Sequence, residues 1–204
     1  MKGIKMMALV VGLTGGIASG KSTVSNLLRE KGHPIIDADL EARLAVEIGE
    51  PAYNEIVLYF GEEIKLPNGQ IDRAKLGEII FNNEEKRLKL NSIVHPDVRR
   101  RMLEKREQAV KNGESLIVMD IPLLFESQLT SMVDKVLLVY VDEDTQLQRL
   151  MERNGFSEEE ALARIKSQMP LKDKVQLSDA VIDNNGTIEN TKQQLNMILT
   201  EWNI

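Results

Sequence analysis

Residues 9–25 read Leu9-Val10-Val11-Gly12-Leu13-Thr14-Gly15-Gly16-Ile17-Ala18-Ser19-Gly20-Lys21-Ser22-Thr23-Val24-Ser25, and this stretch decides the fold. From Gly15 it follows G-x-x-x-x-G-K-S, the pattern of a loop whose backbone N–H groups cradle phosphate. The unbroken apolar run 7–13 predicts a buried strand feeding the loop, and residues 21–31 predict a helix leaving it. Gly15 and Gly20 permit close approach and backbone angles that a Cβ forbids. With Gly16, Ile17, Ala18, Ser19 and Thr23 they form the expected nucleotide-binding segment. The helix opening near Gly20 adds its positive end. Lys21 suits the β- and γ-phosphates of a nucleotide, and the Ser22 hydroxyl suits the shell of a bridging Mg²⁺.

The rest of the composition sets bounds. A chain of 204 residues suits one sizeable domain with a small insertion, and 42% hydrophobic with 28% charged residues matches an ordinary globular protein. A net charge of -6 disfavours a nucleic-acid or anionic-membrane surface. With no cysteine there is neither a disulfide nor a thiolate metal site. Lys2 and Lys5 before the run 6–13 imitate an export signal, but the run leads into the phosphate loop and reads as a buried central strand. No run approaches a membrane span. The expectation is a cytoplasmic protein.

Outward from the loop, Gly32 and Pro34 punctuate a short strand, Ile35-Ile36-Asp37, whose crossover should be right-handed and parallel. Ligands in such sheets sit off the carboxyl ends of the strands, which places Asp37 beside the loop. The next buried strand is 116–120, so residues 38–114 far exceed what one crossover needs. Helices are expected at 40–48, 51–60, 73–81 and 84–94, the last interrupted at His95-Pro96 before a helix to Lys111. Asn68-Gly69 signals a tight turn, and Asp72 can cap the helix after it. This mostly helical insertion, 40–112, is expected to hold a second substrate. Further on come a strand at 135–141 and a helix at 142–154 stopped by Gly155. A capping box at Ser157 and Glu160 opens a helix to Gln168; a strand at 180–182 and a helix at 188–202 complete the pattern. Ile188, Leu195, Ile198, Leu199 and Trp202 form the apolar stripe of that last helix.

Several side chains carry chemistry, each beside a plainer alternative. Asp37 can orient an acceptor hydroxyl and take its proton. Asp39 can do the same or cap the helix that follows. Asp120 sits where a strand-end acid would hold Mg²⁺, or is an ordinary residue before Pro122. Arg149 and Arg153 share one helix face opposite Leu147, Leu150 and Met151, as in a cationic lid or a solvated surface. His95 at a helix boundary reads as structural or as pocket lining. Of Arg99, Arg100 and Arg101, one can meet a phosphorylated acceptor, while a solvated face explains the run equally.

Taken together, the segments closely resemble the dephospho-coenzyme A kinase family. The matching stretches are 13–23, Ile36-Asp37-Ala38-Asp39, Tyr59-Phe60-Gly61, Gly69 to Arg73, His95-Pro96 with Val98, Pro122 to Glu126 and Val181 to Gly186, spread in order over nearly the whole chain. The resemblance implies transfer of the γ-phosphoryl of ATP to the ribose 3′-hydroxyl of dephospho-coenzyme A. Asp37 would be the base, Lys21 and Ser22 would serve ATP and Mg²⁺, and Arg149 would be the lid arginine. Asp39, His95 and Arg100 would face the acceptor, Asn185 and Gly186 would lie near adenine, and Asp120 is the tentative metal residue. No obligate protein partner is implied. The implied fold is an α/β P-loop NTPase-type five-stranded parallel sheet flanked by helices. It would span residues 1–204 as one kinase domain, with the insertion at 40–112 and a lid at 142–169. Ala18 departs from the family pattern, standing where a glycine is common. Another small-metabolite kinase of this fold, or a nucleotide-dependent switch or motor, would share the loop; no Asn-Lys-x-Asp guanine signature is present.

Overall fold

The apolar runs pair as a sheet. The computed structural model describes residues 8–81 and 83–204; Met6 and Met7, at the head of the predicted first strand, lie outside them. In chain order the elements are β1 (Leu9–Gly15), α1 (Lys21–Glu30), β2 (Ile35–Asp37), α2 (Ala38–Leu44), α3 (Pro51–Phe60), α4 (Arg73–Phe81) and α5 (Glu84–Lys111). There follow β3 (Leu116–Asp120), β4 (Lys135–Tyr140), α6 (Glu143–Asn154), α7 (Glu158–Lys166), α8 (Leu171–Val175), β5 (Ala180–Asp183) and α9 (Ile188–Glu201). The five-stranded sheet has the order β2-β3-β1-β4-β5. The pairings β1–β3, β1–β4 and β4–β5 are parallel. β1 is therefore the central strand, and the loop after Gly15 leaves from the middle of the carboxyl edge.

Why β1 carries no polar alternation is clear from its surroundings. Strands covered on both faces read as continuous apolar runs. Val11 and Leu13 turn to one face, joining Leu116, Val118, Leu137, Val139 and Ile182 against Val24 and Leu28 of α1 and Leu195, Ile198 and Leu199 of α9. Leu138 turns to the other, against Val141 and Leu171. Val11 and Leu13 are buried almost completely. Their burial contributes roughly 3–6 kcal/mol together, so the strand feeding the loop is firmly held.

The chain divides into two compact units: the sheet and its helices, up to Ile36 and from Arg106 onward, and residues 37–105. The second unit has its own core, in which Ala52, Tyr53, Ile56, Phe60, Ile64, Ile71, Leu76 and Ile93 cluster. The Asn68-Gly69 turn forms as expected, with Gly69 at φ 84° and a Lys65–Ile71 antiparallel bridge. Tyr53 donates its hydroxyl to the Gly69 carbonyl at 2.5 Å, fixing the turn to α3.

Some boundaries differ from the sequence reading. α2 begins at Ala38 and stops at Leu44, rather than spanning 40–48. The cap is Asp37, whose Oδ1 accepts the N–H groups of Asp39 and Leu40 at 2.9 and 3.1 Å, and Asp39 lies inside the first turn. The break expected at His95-Pro96 does not occur. α5 runs through Pro96, although an internal proline costs about 3 kcal/mol. Ile93 and Met102, buried to either side, offset that cost. α7 ends at Lys166, short of Gln168. Ile188, placed on the buried stripe of α9, is 66% exposed.

Candidate active site

The loop is built by the change from strand to helix. Gly20 adopts φ 85° and heads α1 with no capping side chain, whereas Asp37, Asp142, Ser157 and Thr187 cap α2, α6, α7 and α9. An uncapped N-terminus behind a glycine turn leaves backbone donors and the helix dipole for an anion. Within the loop Ser19 donates its N–H to the Gly16 carbonyl at 3.1 Å, and Thr23 donates to Gly20 at 2.9 Å. Ala18 holds φ 59°. This left-handed conformation explains why glycine is usual there, since a Cβ makes it unfavourable by about 1 kcal/mol.

Lys21 and Asp120 meet at the end of the central strands. Register pairs Asp120 with Leu13, and the Lys21 ammonium makes an ion pair with the Asp120 carboxylate. Asp120 is 6% exposed at its side chain, so the pair sits in reduced dielectric. Ser22 presents an exposed hydroxyl in the first turn of α1. Among the described residues no group of three His, Cys, Asp or Glu side chains could hold a metal by themselves. The donor set fits an ion held mainly by substrate phosphates, water and one hydroxyl, the usual manner for Mg²⁺.

Four further residues, which the sequence reading missed, converge on the loop. Gln146 of α6 donates its amide to the Ile17 carbonyl at 2.8 Å, and Gln168 accepts the Ile17 N–H at 2.8 Å. Lys174 of α8, fully buried, donates to the Gly15 carbonyl at 3.0 Å and pairs with Glu126 at 2.9 Å. Asn184, just past β5, donates to the Ser19 carbonyl at 2.8 Å and accepts the Thr191 hydroxyl at 2.6 Å. Of the residues in these contacts, Glu126 and Asn184 had a sequence signal, inside the quoted 122–126 and 181–186 stretches.

The remaining predicted residues are placed as follows. Asp37 closes β2, half-buried, with Oδ1 occupied by its two cap bonds; Asp39 is exposed. Arg149 is half-buried on α6, Arg153 is exposed near its end, and Leu150 opposite them is buried. The Asp142 carboxylate that caps α6 has its pKa held low, first by the Thr145 N–H and further by the Arg149 charge. Asn185 accepts the Asp142 N–H at 3.1 Å, and Gly186 is exposed. In the second unit His95 is exposed; desolvation, and after it the Arg99 cation, hold its pKa below the ordinary value. Arg100 is paired along its own helix, to Asp97 and Glu104. Arg101 binds Glu41 and Glu50.

This geometry belongs to a known group. Residues 9–190 match the family described as CoaE, dephospho-CoA kinase. The dephospho-CoA kinase of Geobacillus kaustophilus is 63% identical over 196 residues, which cover 96% of this chain and 98% of that protein. The solved dephospho-CoA kinase of Campylobacter jejuni is 30% identical with a TM-score of 0.74, covering 95% of this chain and 96% of that one. The solved Thermus thermophilus protein TT1252 is 34% identical with a TM-score of 0.81, over 96% and 98% of the two chains. Matched over nearly its full length by a family model and by a relative this similar, the chain belongs to the dephospho-CoA kinase family.

Proposed function

We propose that the protein transfers the γ-phosphoryl group of ATP to the ribose 3′-hydroxyl of dephospho-coenzyme A, giving coenzyme A and ADP. This is the last step of coenzyme A biosynthesis. One observation carries the reading: an uncapped α1 N-terminus behind the glycine loop, with Lys21 beside it, in a chain of this family. The amides of the loop and Lys21 bind the ATP phosphates. The Ser22 hydroxyl would hold Mg²⁺, which when bound would supply positive charge to the transferring group. Asp120 holds Lys21 through their ion pair and is the second candidate for the metal shell.

Asp37 is the acceptor base in this reading. Its Oδ1 is fixed by two backbone N–H groups, which orients the carboxylate and leaves Oδ2 as the basic atom for the 3′-hydroxyl. Arg149 stabilises charge on the phosphoryl group from a lid within 142–169. Asn185 and Gly186 lie at the adenine, and Asp39, together with His95 and Arg100 of the 40–112 insertion, serves the acceptor. The reaction belongs in the cytoplasm and needs neither nucleic acid nor a protein partner. Among the described residues no helix is long and apolar enough to cross a membrane.

The test is whether ADP formation depends on acceptor. Purified protein with ATP and Mg²⁺ should release ADP only when dephospho-coenzyme A is added. Hydrolysis of ATP at the same rate without acceptor would contradict the reading.

A further inference from the structure

The bonds to the loop follow a pattern that the motif itself does not contain. The carbonyls of Gly15, Ile17 and Ser19 each accept a hydrogen bond from a side chain of the same compact unit: Lys174 at 3.0 Å, Gln146 at 2.8 Å and Asn184 at 2.8 Å. All three donors are buried, with exposures of 0%, 4% and 7%. In a trans peptide the carbonyl of one residue and the N–H of the next point in opposite directions, and the described residues contain no cis bond. Holding the carbonyls of Gly15, Ile17 and Ser19 outward therefore turns the N–H groups of Gly16, Ala18 and Gly20 the other way. The intervening donors are used inside the protein, Ile17 N–H by Gln168 and Ser19 N–H by the Gly16 carbonyl.

We infer that Gln146, Lys174 and Asn184 are positioning residues that clamp alternate carbonyls of the loop and so preset the amides of Gly16, Ala18 and Gly20 for the phosphates. The inference rests on the reading of the loop as the phosphate site. A second observation fits it. A Cβ at Gly16 would stand 2.8 Å from the Gln146 amide nitrogen, and one at Gly20 would collide with the Asn184 amide. A side chain at either glycine would thus displace a clamp amide from its place. The buried Lys174 charge is balanced by Glu126, which also accepts the Met169 N–H at 3.1 Å.

A preset loop binds anions with less reorganisation, so loss of a clamp should appear as lost phosphate affinity. Gln146→Met keeps the side-chain length and removes the donor. Asn184→Ala removes the second donor and leaves the Thr191 hydroxyl a partner in the Thr187 carbonyl. Affinity for ATP and for inorganic tripolyphosphate is measured calorimetrically on the full chain, with thermal melts and the KM for dephospho-coenzyme A alongside. Each variant should bind both anions about tenfold more weakly, with the acceptor KM unchanged and the fold intact. If Asn184→Ala does not fold, the near-isosteric Gln146→Met decides alone. Weaker ATP binding with unchanged tripolyphosphate binding would mean a contact to the nucleoside and would overturn the clamp. So would unchanged affinity for both anions in a folded variant while Lys21→Ala loses them. Unchanged affinity in Lys21→Ala would instead remove the phosphate reading of the loop, and the inference with it.

Discussion

The two compact units use their buried polar groups in different ways. Around the phosphate loop, Gln146, Lys174 and Asn184 reach from distant parts of the chain to backbone carbonyls. In residues 37–105 the charged groups answer one another. Glu41, 1% exposed, pairs with Arg101 and Lys105, and Arg100 pairs with Asp97 and Glu104. The first arrangement orients main-chain dipoles toward a ligand; the second closes its electrostatics within the unit and holds α2 against α5. The loop is thus the place where substitutions should change chemistry, and most charges of the second unit are places where they should change stability.

The largest break in that contrast should come from Lys21→Ala. It removes the cation proposed to meet the β- and γ-phosphates, and kcat should fall by about 10²-fold or more, with weaker ATP binding. Steady-state kinetics over a range of ATP concentrations checks both effects. Asp37→Asn comes next and tests the one residue of the second unit assigned to chemistry. Asn caps a helix about as well as Asp, so α2 should survive, whereas the base is lost. Single-turnover transfer should slow by about 10²-fold, the lower end for a general base because the transition state is loose. A rate within threefold of the parent would remove Asp37 from that role.

The remaining substitutions sharpen the contrast. Glu41→Ala should lower unfolding stability by about 2 kcal/mol, less than a fully buried pair would lose because Lys105 and Glu50 stay partly solvated. Its kcat below the unfolding transition should stay near the parent value. Denaturant melts with activity measured at each point separate the two. Arg149→Ala should lower kcat about tenfold or more while ATP affinity of the free enzyme changes less, because the proposed lid makes its contact only on closing. The smallest effect should be Ala18→Gly. Relief of the left-handed alanine outweighs the added chain entropy of glycine by ~0.5 kcal/mol, and calorimetry should show a slightly raised Tm.

Elements with local causes were legible in the sequence. Continuous apolar runs gave β1, β3 and β4, and side chains two or three residues from the backbone they cap gave the starts of α4 and α7. The loop was legible because the residues that build it are consecutive in sequence. Pro96 misled because its local penalty is offset by Ile93 and Met102, whose burial depends on the tertiary fold. The capping alternative for Asp39 does not hold, because α2 starts two residues earlier, at Ala38, which the sequence does not reveal. The clamp contacts were not legible. Gln146, Lys174 and Asn184 lie 129, 159 and 165 positions from their carbonyls; Asn184 falls inside the quoted 181–186 stretch, but nothing there points its amide to the loop, and Gln146 and Lys174 read as ordinary polar residues.

The central claim is that the second substrate is phosphorylated on its ribose 3′-oxygen. The direct measurement is ³¹P NMR of the product formed from ATP, Mg²⁺ and dephospho-coenzyme A by the purified protein, with coupling to the ribose protons locating the new ester. The account predicts a single phosphomonoester coupled to H3′, formed in equal amount with ADP. Inorganic phosphate with the acceptor unaltered, or an ester on any other oxygen, would contradict it.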